Sequence, residues 1–422
     1  MKAYITPSTC KGSIAIPASK SMAHRAIIAA SLAHGVSHIT NITFSQDILA
    51  TIDCMRQLGA KITTTNDCCL IEGIKEITHT NEEIYCNESG STLRFLIPIF
   101  SLCNHEVIFT GSKRLLERPL SIYHSIYKEQ GLTFKQEYSK VITNGKLKPM
   151  HYHIPGNISS QFISGLLFTL PLLKDASTIT ITPPFESSSY VLLTIEMLKR
   201  FGVTIIQQDA TTFYIPGKQN YKACNYQVEG DYSQFAFFAV YAAIHGTLDI
   251  TNVNHDSSQG DRQILSILKD FNVQIETIDN GYRIHQSELI AHDIDLKNCP
   301  DLGPIACVAA MYAKGKTRIY NAARLRIKES DRIAAMEEEL QKFNVKIHSS
   351  EDEIFIEGNS SYTCTTDLEA HNDHRIVMAL TIASACSQST TCIHHAQAIA
   401  KSYPTFFEDF TKVKGLVKCY DI

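Results

Sequence analysis

Apolar positions along this chain fall repeatedly into one pattern: a run at helical spacing, then a Gly or Asn, then a short β-type run. Ile48, Ile52, Met55 and Leu58 return every three or four positions, as do Ile333, Met336, Leu340 and Phe343, which is the periodicity of a helix with one buried face. Each such run closes on the same punctuation: Leu58-Gly59-Ala60, Gln130-Gly131-Leu132, Phe201-Gly202-Val203, Phe271-Asn272-Val273 and Phe343-Asn344-Val345. Gly or Asn suits the position after a helix, where the backbone turns left-handed, so every copy predicts helix, cap, strand. The copies stand about 71 residues apart. A fainter sixth copy lies at Val413-Lys414-Gly415-Leu416-Val417, and six periods account for the whole chain.

A second element repeats with the same period: a small or polar cluster followed by a helix that is apolar nearly all round. Its copies begin near Ser21-Met22, Ser91-Thr92, Ser159-Ser160-Gln161, Tyr232-Ser233-Gln234, Gly303-Pro304 and Asp373-His374-Arg375. Helices of that composition are buried. A unit of this length exceeds the roughly 20–50 residues of solenoid repeats and accommodates two helices with three or four strands. The expected fold class is α/β, with three units in each of two domains.

Composition narrows the function. The 422 residues are 44% hydrophobic and 19% charged, which excludes disorder as the main state. A formal charge of -4 leaves no excess of Lys and Arg to neutralise a nucleic-acid backbone, so no nucleic-acid partner is expected and any anion site must be local. Thirteen cysteines, an odd number without one C-x-x-C, match reduced thiols and a cytoplasmic location. The N-terminus lacks an apolar signal region, and the longest apolar stretch, Phe162 to Leu173, is broken by Ser164, Gly165 and Thr169. Neither export by a signal peptide nor a membrane partner is expected.

Candidate chemistry gathers at the starts of the buried helices. A helix N-terminus carries about half a positive charge and several unpaired N–H groups, and is suited to phosphate or carboxylate. Beside these starts lie Lys20, Arg25, Arg94, Lys328, Arg332 and Arg375, while Arg118 and Lys401 stand close to Pro119 and Pro404. The densest string is Arg324-Leu325-Arg326-Ile327-Lys328-Glu329-Ser330-Asp331-Arg332; Ser330 is the expected N-cap, with Asp331 in the first turn of a helix running to Phe343. Pro17-Ala18-Ser19-Lys20 enters another helix, but the Gly-x-x-x-x-Gly-Lys spacing of a phosphate-binding loop is missing. His151-x-His153, His371-x-x-His374 and His394-His395 reproduce no zinc motif, so no metal is expected.

Taken in order, these strings resemble the 3-phosphoshikimate 1-carboxyvinyltransferase (EPSP synthase) family over the whole chain. The resemblance rests on Ser19-Lys20-Ser21-x-x-x-Arg25, Ser89-Gly90-Ser91-Thr92-x-Arg94, Arg118-Pro119, Ser159-Ser160-Gln161-Phe162, Gly230-Asp231, Pro300-Asp301, Lys328-Glu329-Ser330-Asp331-Arg332, Asn372-Asp373-His374-Arg375 and Lys401-Ser402-Tyr403-Pro404. It implies the two-domain enolpyruvyl transferase fold, each domain three βαβαββ repeats: residues 19–228 as one domain, residues 1–18 with 229–422 as the other. It also implies buried helices that point their N-termini at an interdomain cleft. The implied reaction, part of the shikimate pathway to aromatic amino acids, moves an enolpyruvyl group from phosphoenolpyruvate to the 5-hydroxyl of shikimate 3-phosphate.

By the same resemblance Lys20, Ser21, Arg25, Ser159, Ser160, Gln161, Ser187, Tyr190, Asp301 and Lys328 bind shikimate 3-phosphate. Lys20, Gly90, Arg118, Gln161, Arg332, Arg375 and Lys401 bind phosphoenolpyruvate. Asp301 is the candidate base, Glu329 the candidate acid, and Lys20 shares in catalysis. No cofactor and no metal are implied, and the expected state is a monomer. The chain departs from the family at Glu88 and at Arg324, each where Asn is common. The first departure bears on affinity for phosphoenolpyruvate and for glyphosate, which targets the family, and the second on a contact to shikimate 3-phosphate. Two other readings share the scaffold: a UDP-N-acetylglucosamine enolpyruvyl transferase and a noncatalytic phosphometabolite-binding protein. The former usually has a reactive Cys before its Arg-Pro, absent from Lys113-Arg114-Leu115-Leu116-Glu117-Arg118-Pro119. The latter has no use for both Asp301 and Glu329.

Overall fold

The punctuation that ends the amphipathic helices is a backbone requirement. After the helices Gln46–Gln57, Ser121–Glu129, Ser188–Arg200, Ile264–Asp270 and Arg332–Gln341, the chain reverses through Gly59, Gly131, Gly202, Asn272 and Asn344, all at positive φ between 63° and 114°. A Cβ crowds the backbone there, which favours Gly, and Asn tolerates it because its short polar side chain hydrogen-bonds locally. After the sixth helix, Phe406–Lys412, the left-handed residue is Lys414 at φ 73° rather than Gly415. The computed structural model describes residues 1–75, 83–103 and 105–421.

Six further helices begin at the polar clusters: Lys20–Ser31, Gly90–Phe100, Ser160–Thr169, Tyr232–His245, Gly303–Met311 and His374–Ala385. Every residue of Gly303–Met311 and His374–Ala385 is buried, as expected of helices without a polar face. Six four-stranded sheets among the described residues accompany them, each with one parallel and two antiparallel pairings. In one sheet, His151–Pro155 runs parallel to Ser177–Thr182, which pairs antiparallel with Thr212–Ile215. The repeat seen in the sequence is therefore a repeat of sheet plus two helices, one buried and one amphipathic.

The chain divides into two compact units, Ala18–Val228 and Met1–Pro17 with Glu229–Ile422. Ala18 groups with the former, one residue before the boundary the resemblance implies. The N-terminal residues join the second unit through two strands. Lys2–Thr6 lies between Thr391–His394 and Leu416–Tyr420, and Cys10–Ala15 pairs parallel with Gly246–Thr251. Each unit has its own apolar core. One is built around Phe95, Phe162, Leu166 and Phe168, the other around Phe235, Phe238, Val308, Met378 and Phe406. Among the described residues no helix is long and apolar enough to cross a membrane.

Candidate active site

In the unit Ala18–Val228, three buried helices present polar starts. Ser19 precedes Lys20–Ser31 in extended backbone and provides no side-chain cap; its buried hydroxyl has no hydrogen-bond partner among the described residues. Lys20 Nζ lies 2.7 Å from Asp47 Oδ2, a partner that the sequence reading missed, although a Ser-x-Asp start to the next helix was there to be seen. One turn on, Arg25 is buried and fully directed: Nε donates to Thr194 Oγ1 at 2.8 Å, Nη1 to Ser21 O at 2.8 Å and Nη2 to Tyr190 O at 3.0 Å. Burial pulls its guanidinium down to about 10, still protonated at neutral pH.

Ser89 caps the helix Gly90–Phe100 by accepting from Thr92 N. A Cβ on Gly90 would come within 2.5 Å of Arg118 Nη1, so glycine lets this helix start lie directly against the guanidinium, which any larger residue would push aside. Arg118 Nε is buried without a partner among the described residues. Arg94 Nη1 donates to Gln161 Oε1 at 2.8 Å, and Gln161 Nε2 to Ser91 Oγ at 2.9 Å, which joins the second helix start to the third. There Ser159 caps Ser160–Thr169 through Gln161 N. Ser187, at φ 51°, opens Ser188–Arg200, which carries Tyr190. Glu88, directly ahead of Ser89, is half-buried.

A buried hydroxyl chain ties the first helix to the second. Thr92 Oγ1 donates to Ser89 Oγ at 2.7 Å, so it must accept from Thr51 Oγ1, 2.7 Å away. Thr51 in turn accepts from His24 Nδ1 at 2.8 Å. Donor order thus fixes the tautomer of His24 with its proton on Nδ1. Burial, and then Lys20 and Arg25, hold this imidazole well below the usual histidine range, so it is neutral.

The second unit, with Glu229–Ile422, gathers its charges around Asp301, in the turn Pro300–Leu302 ahead of Gly303–Met311. Asp301 Oδ1 accepts from Lys328 Nζ and Arg332 Nη1, each at 3.1 Å, and Oδ2 from Arg375 Nη2 at 2.9 Å. Arg332 is almost wholly buried and meets three carboxylates. Besides Asp301 it donates to Glu329 Oε2 at 2.7 Å and, through Nε, to Asp373 Oδ2 at 2.8 Å. Asp373 also caps His374–Ala385, a role that the Asn-Asp-His-Arg string by itself does not reveal. Ser330 does not cap the Arg332–Gln341 helix, contrary to expectation. Asp331 does, accepting from Ala334 N at 3.0 Å, and Ser330 Oγ turns to Asp373 Oδ2. The carboxylate draws the hydroxyl inward because it is buried and charged.

Burial raises the Asp301 carboxyl, but Arg375, Lys328 and Arg332 overcome that and hold it well below the ordinary range. Asp373 is lowered in the same way, against burial, chiefly by Arg332. Burial lowers the Lys328 ammonium, opposed by Asp301. Arg375 keeps two buried donors, Nε and Nη1, without partners among the described residues, while Lys401 Nζ donates to Asn372 O. Arg324 is buried with Nη2 on Lys297 O at 2.7 Å. The structure thus brings together Asp301, Lys328, Glu329, Arg332 and Arg375 in one unit, and Ser21, Arg25 and Tyr190, and Gly90, Arg118 and Gln161 with their helix starts, in the other.

The sequence profile described as EPSP synthase (3-phosphoshikimate 1-carboxyvinyltransferase) matches residues 5–410. A 3-phosphoshikimate 1-carboxyvinyltransferase of Clostridium perfringens is 44% identical over 421 residues, 99% of each chain, and that of Clostridium kluyveri 43% identical over 97% of each. Among solved structures, EPSP synthase from Acinetobacter baumannii superposes with a TM-score of 0.82 at 26% identity over the full length of both chains. The enolpyruvyl transferase NikO from Streptomyces tendae superposes with a TM-score of 0.80 at 15% identity, covering 99% of this chain and 98% of its own, a likeness of fold.

Proposed function

The chain belongs to the EPSP synthase (3-phosphoshikimate 1-carboxyvinyltransferase) family, and from that premise we infer that it transfers the enolpyruvyl group of phosphoenolpyruvate to the 5-hydroxyl of shikimate 3-phosphate, releasing phosphate in the shikimate pathway. One observation carries the residue assignments: buried guanidinium donors without partners among the described residues, Arg118 Nε and Arg375 Nε and Nη1. Unmet buried donors cost stability unless a ligand supplies acceptors, and both substrates are rich in anionic oxygen.

Phosphoenolpyruvate is assigned to Gly90, Arg118, Arg332, Arg375 and Lys401, with Lys20 and Gln161. Shikimate 3-phosphate is assigned to Lys20, Ser21, Arg25, Ser159, Ser160, Gln161, Ser187 and Tyr190, with Asp301 and Lys328. Addition requires the 5-hydroxyl to lose a proton as its oxygen bonds C2 of phosphoenolpyruvate, while C3 gains one. Asp301 takes the first proton, Glu329 supplies the second, and Lys20 supports the developing charge. Elimination then breaks the C2–O bond to phosphate and returns the C3 proton, restoring the alkene.

The cations explain how so acidic a carboxylate acts as a base. Substrate anions drawn to Arg332 and Arg375 compete with Asp301 for the same donors, and so raise its proton affinity when the hydroxyl is to be deprotonated. A monomer in the cytoplasm is part of the same proposal, since thirteen free thiols suit a reducing compartment. The test is phosphate release from phosphoenolpyruvate with each acceptor in turn. Release that requires shikimate 3-phosphate is expected, and release with UDP-N-acetylglucosamine alone would overturn the assignment.

A further inference from the structure

The outer sheet of the second unit holds a group of side chains that the transferase reaction does not use. Strand Thr391–His394 turns Ile393 into the core, which leaves Cys392 and His394, two residues apart, on the opposite face. Leu368–Glu369 runs parallel to it, with Leu368 beside Ile393 and Glu369 beside His394. That register brings the preceding residue, Asp367, beside Cys392 on the same face. The result is a thiol, an imidazole and a carboxylate whose donor atoms all lie within 4.8 Å of one another, with His394 Nε2 already 2.7 Å from Asp367 Oδ2.

We propose that Asp367, Cys392 and His394 form a binding site for a thiophilic divalent ion, zinc or its like, with a fourth position open to solvent. Sulfur and imidazole donors select borderline-soft ions over magnesium or calcium, which take oxygen. A thiolate, a carboxylate and a neutral imidazole sum to two negative charges and balance a divalent ion. A tetrahedral ion bound at about 2.0–2.3 Å keeps its ligand atoms roughly 3.3–3.8 Å apart, so shifts of about an ångström close the site.

Binding replaces the Cys392 thiol proton, which goes to solvent, by the metal bond, and moves the His394 proton from Nε2 to Nδ1. The other carboxylate–histidine group of this unit, Glu338, Glu339 and His371, is a poorer candidate. Lys342 Nζ already lies 2.9 Å from both Glu339 oxygens, where a second cation would be repelled. An ion at Asp367 would pin the segment leading into Asp373 and Arg375 to its neighbouring strand. Its role is to stabilise that unit, independent of the functional assignment above.

Cobalt(II) titrated into the whole protein tests the proposal. One equivalent per chain should bind with a thiolate-to-cobalt charge-transfer band and tetrahedral visible bands. Cys392→Ser should abolish the charge-transfer band, while His394→Gln and Asp367→Asn weaken cobalt and zinc binding at least about 10-fold. All three should keep wild-type turnover. No charge-transfer band at equimolar cobalt would overturn the site. So would a band undiminished in Cys392→Ser, which would place the ion on another thiol such as the exposed Cys419. Cys392 is itself buried, so His394→Gln supplies a separate readout. Zinc should raise the thermal midpoint of the wild type by more than that of this variant at the same concentration, and equal stabilisation of both would refute the proposal.

Discussion

Arg332 shows how much one side chain organises. It is among the largest fully buried side chains of the protein, and its guanidinium meets Asp301, Glu329 and Asp373. An ion pair this buried stabilises little as a whole, but removing one partner is costly because a charge is left behind. Asp373→Asn keeps the helix cap and deletes the charge, so it should lower stability by about 3 kcal/mol at neutral pH. The folded-state pKa of Asp373 is depressed, so its contribution is complete above the unfolded carboxylate value near 3.9 and is lost as pH falls through the lower folded value. Denaturant midpoints should therefore show a constant gap between wild type and variant from pH 7 to about 5, closing below about 4. At the same scale, Asp301→Asn and Glu329→Gln should each cut turnover by roughly 100-fold or more. Calorimetry should show Glu329→Gln retaining most of its affinity for shikimate 3-phosphate; a variant that lost binding and kept kcat would refute the acid role.

Between helices, close approach does the positioning. Gly165 lies where Ser160–Thr169 crosses Gly90–Phe100, and a Cβ there would run into Tyr123 Oη and Arg94 O. Tyr123 donates to that same carbonyl, so withdrawal of either neighbour would break a buried hydrogen bond. Gly165→Ala should cost about 1–3 kcal/mol through overpacking. By parting the helices it should also disturb the Arg94–Gln161 contact and raise KM for phosphoenolpyruvate; an unchanged KM would separate stability from positioning. The hydroxyl chain from His24 to Ser89 has the same architectural role. Thr51→Val breaks it in the middle without changing volume much: His24 Nδ1 loses its acceptor, while Thr92 Oγ1 keeps its bond to Ser89 Oγ. A loss of about 1–3 kcal/mol is expected by thermal denaturation.

Across the whole molecule the two cores are separate sets of residues, and one of them belongs to an unbroken stretch of chain. Residues 18–228, expressed alone, should fold. All three of their four-stranded sheets are built from strands inside that stretch, including Tyr226–Gln227, which pairs with Val36–Thr40. A single cooperative thermal transition and native-like circular dichroism would bear this out; a molten ensemble would show that the unit depends on the rest of the chain. Its partner cannot be isolated so simply, because Lys2–Thr6 and Cys10–Ala15 sit in the middle and at the edge of sheets formed by residues beyond 229.

The amino-acid sequence by itself determined what short-range physics controls. Helical periodicity, the left-handed residue after each amphipathic helix, and the polar starts of the six buried helices all rest on interactions across a few residues. All were legible, apart from the misplaced cap at Ser330 and the shift from Gly415 to Lys414. The family strings likewise marked which charged residues matter. Only the tertiary structure decided which charge faces which. Lys20 meets Asp47, 27 residues away, and Asp301 shares its oxygens with Lys328, Arg332 and Arg375, up to 74 residues off. Pairings at such separations follow from where packed backbones place the side chains, and no local pattern encodes them. The same holds for Asp367, Cys392 and His394, which look unrelated along the chain and become neighbours through the register of two parallel strands.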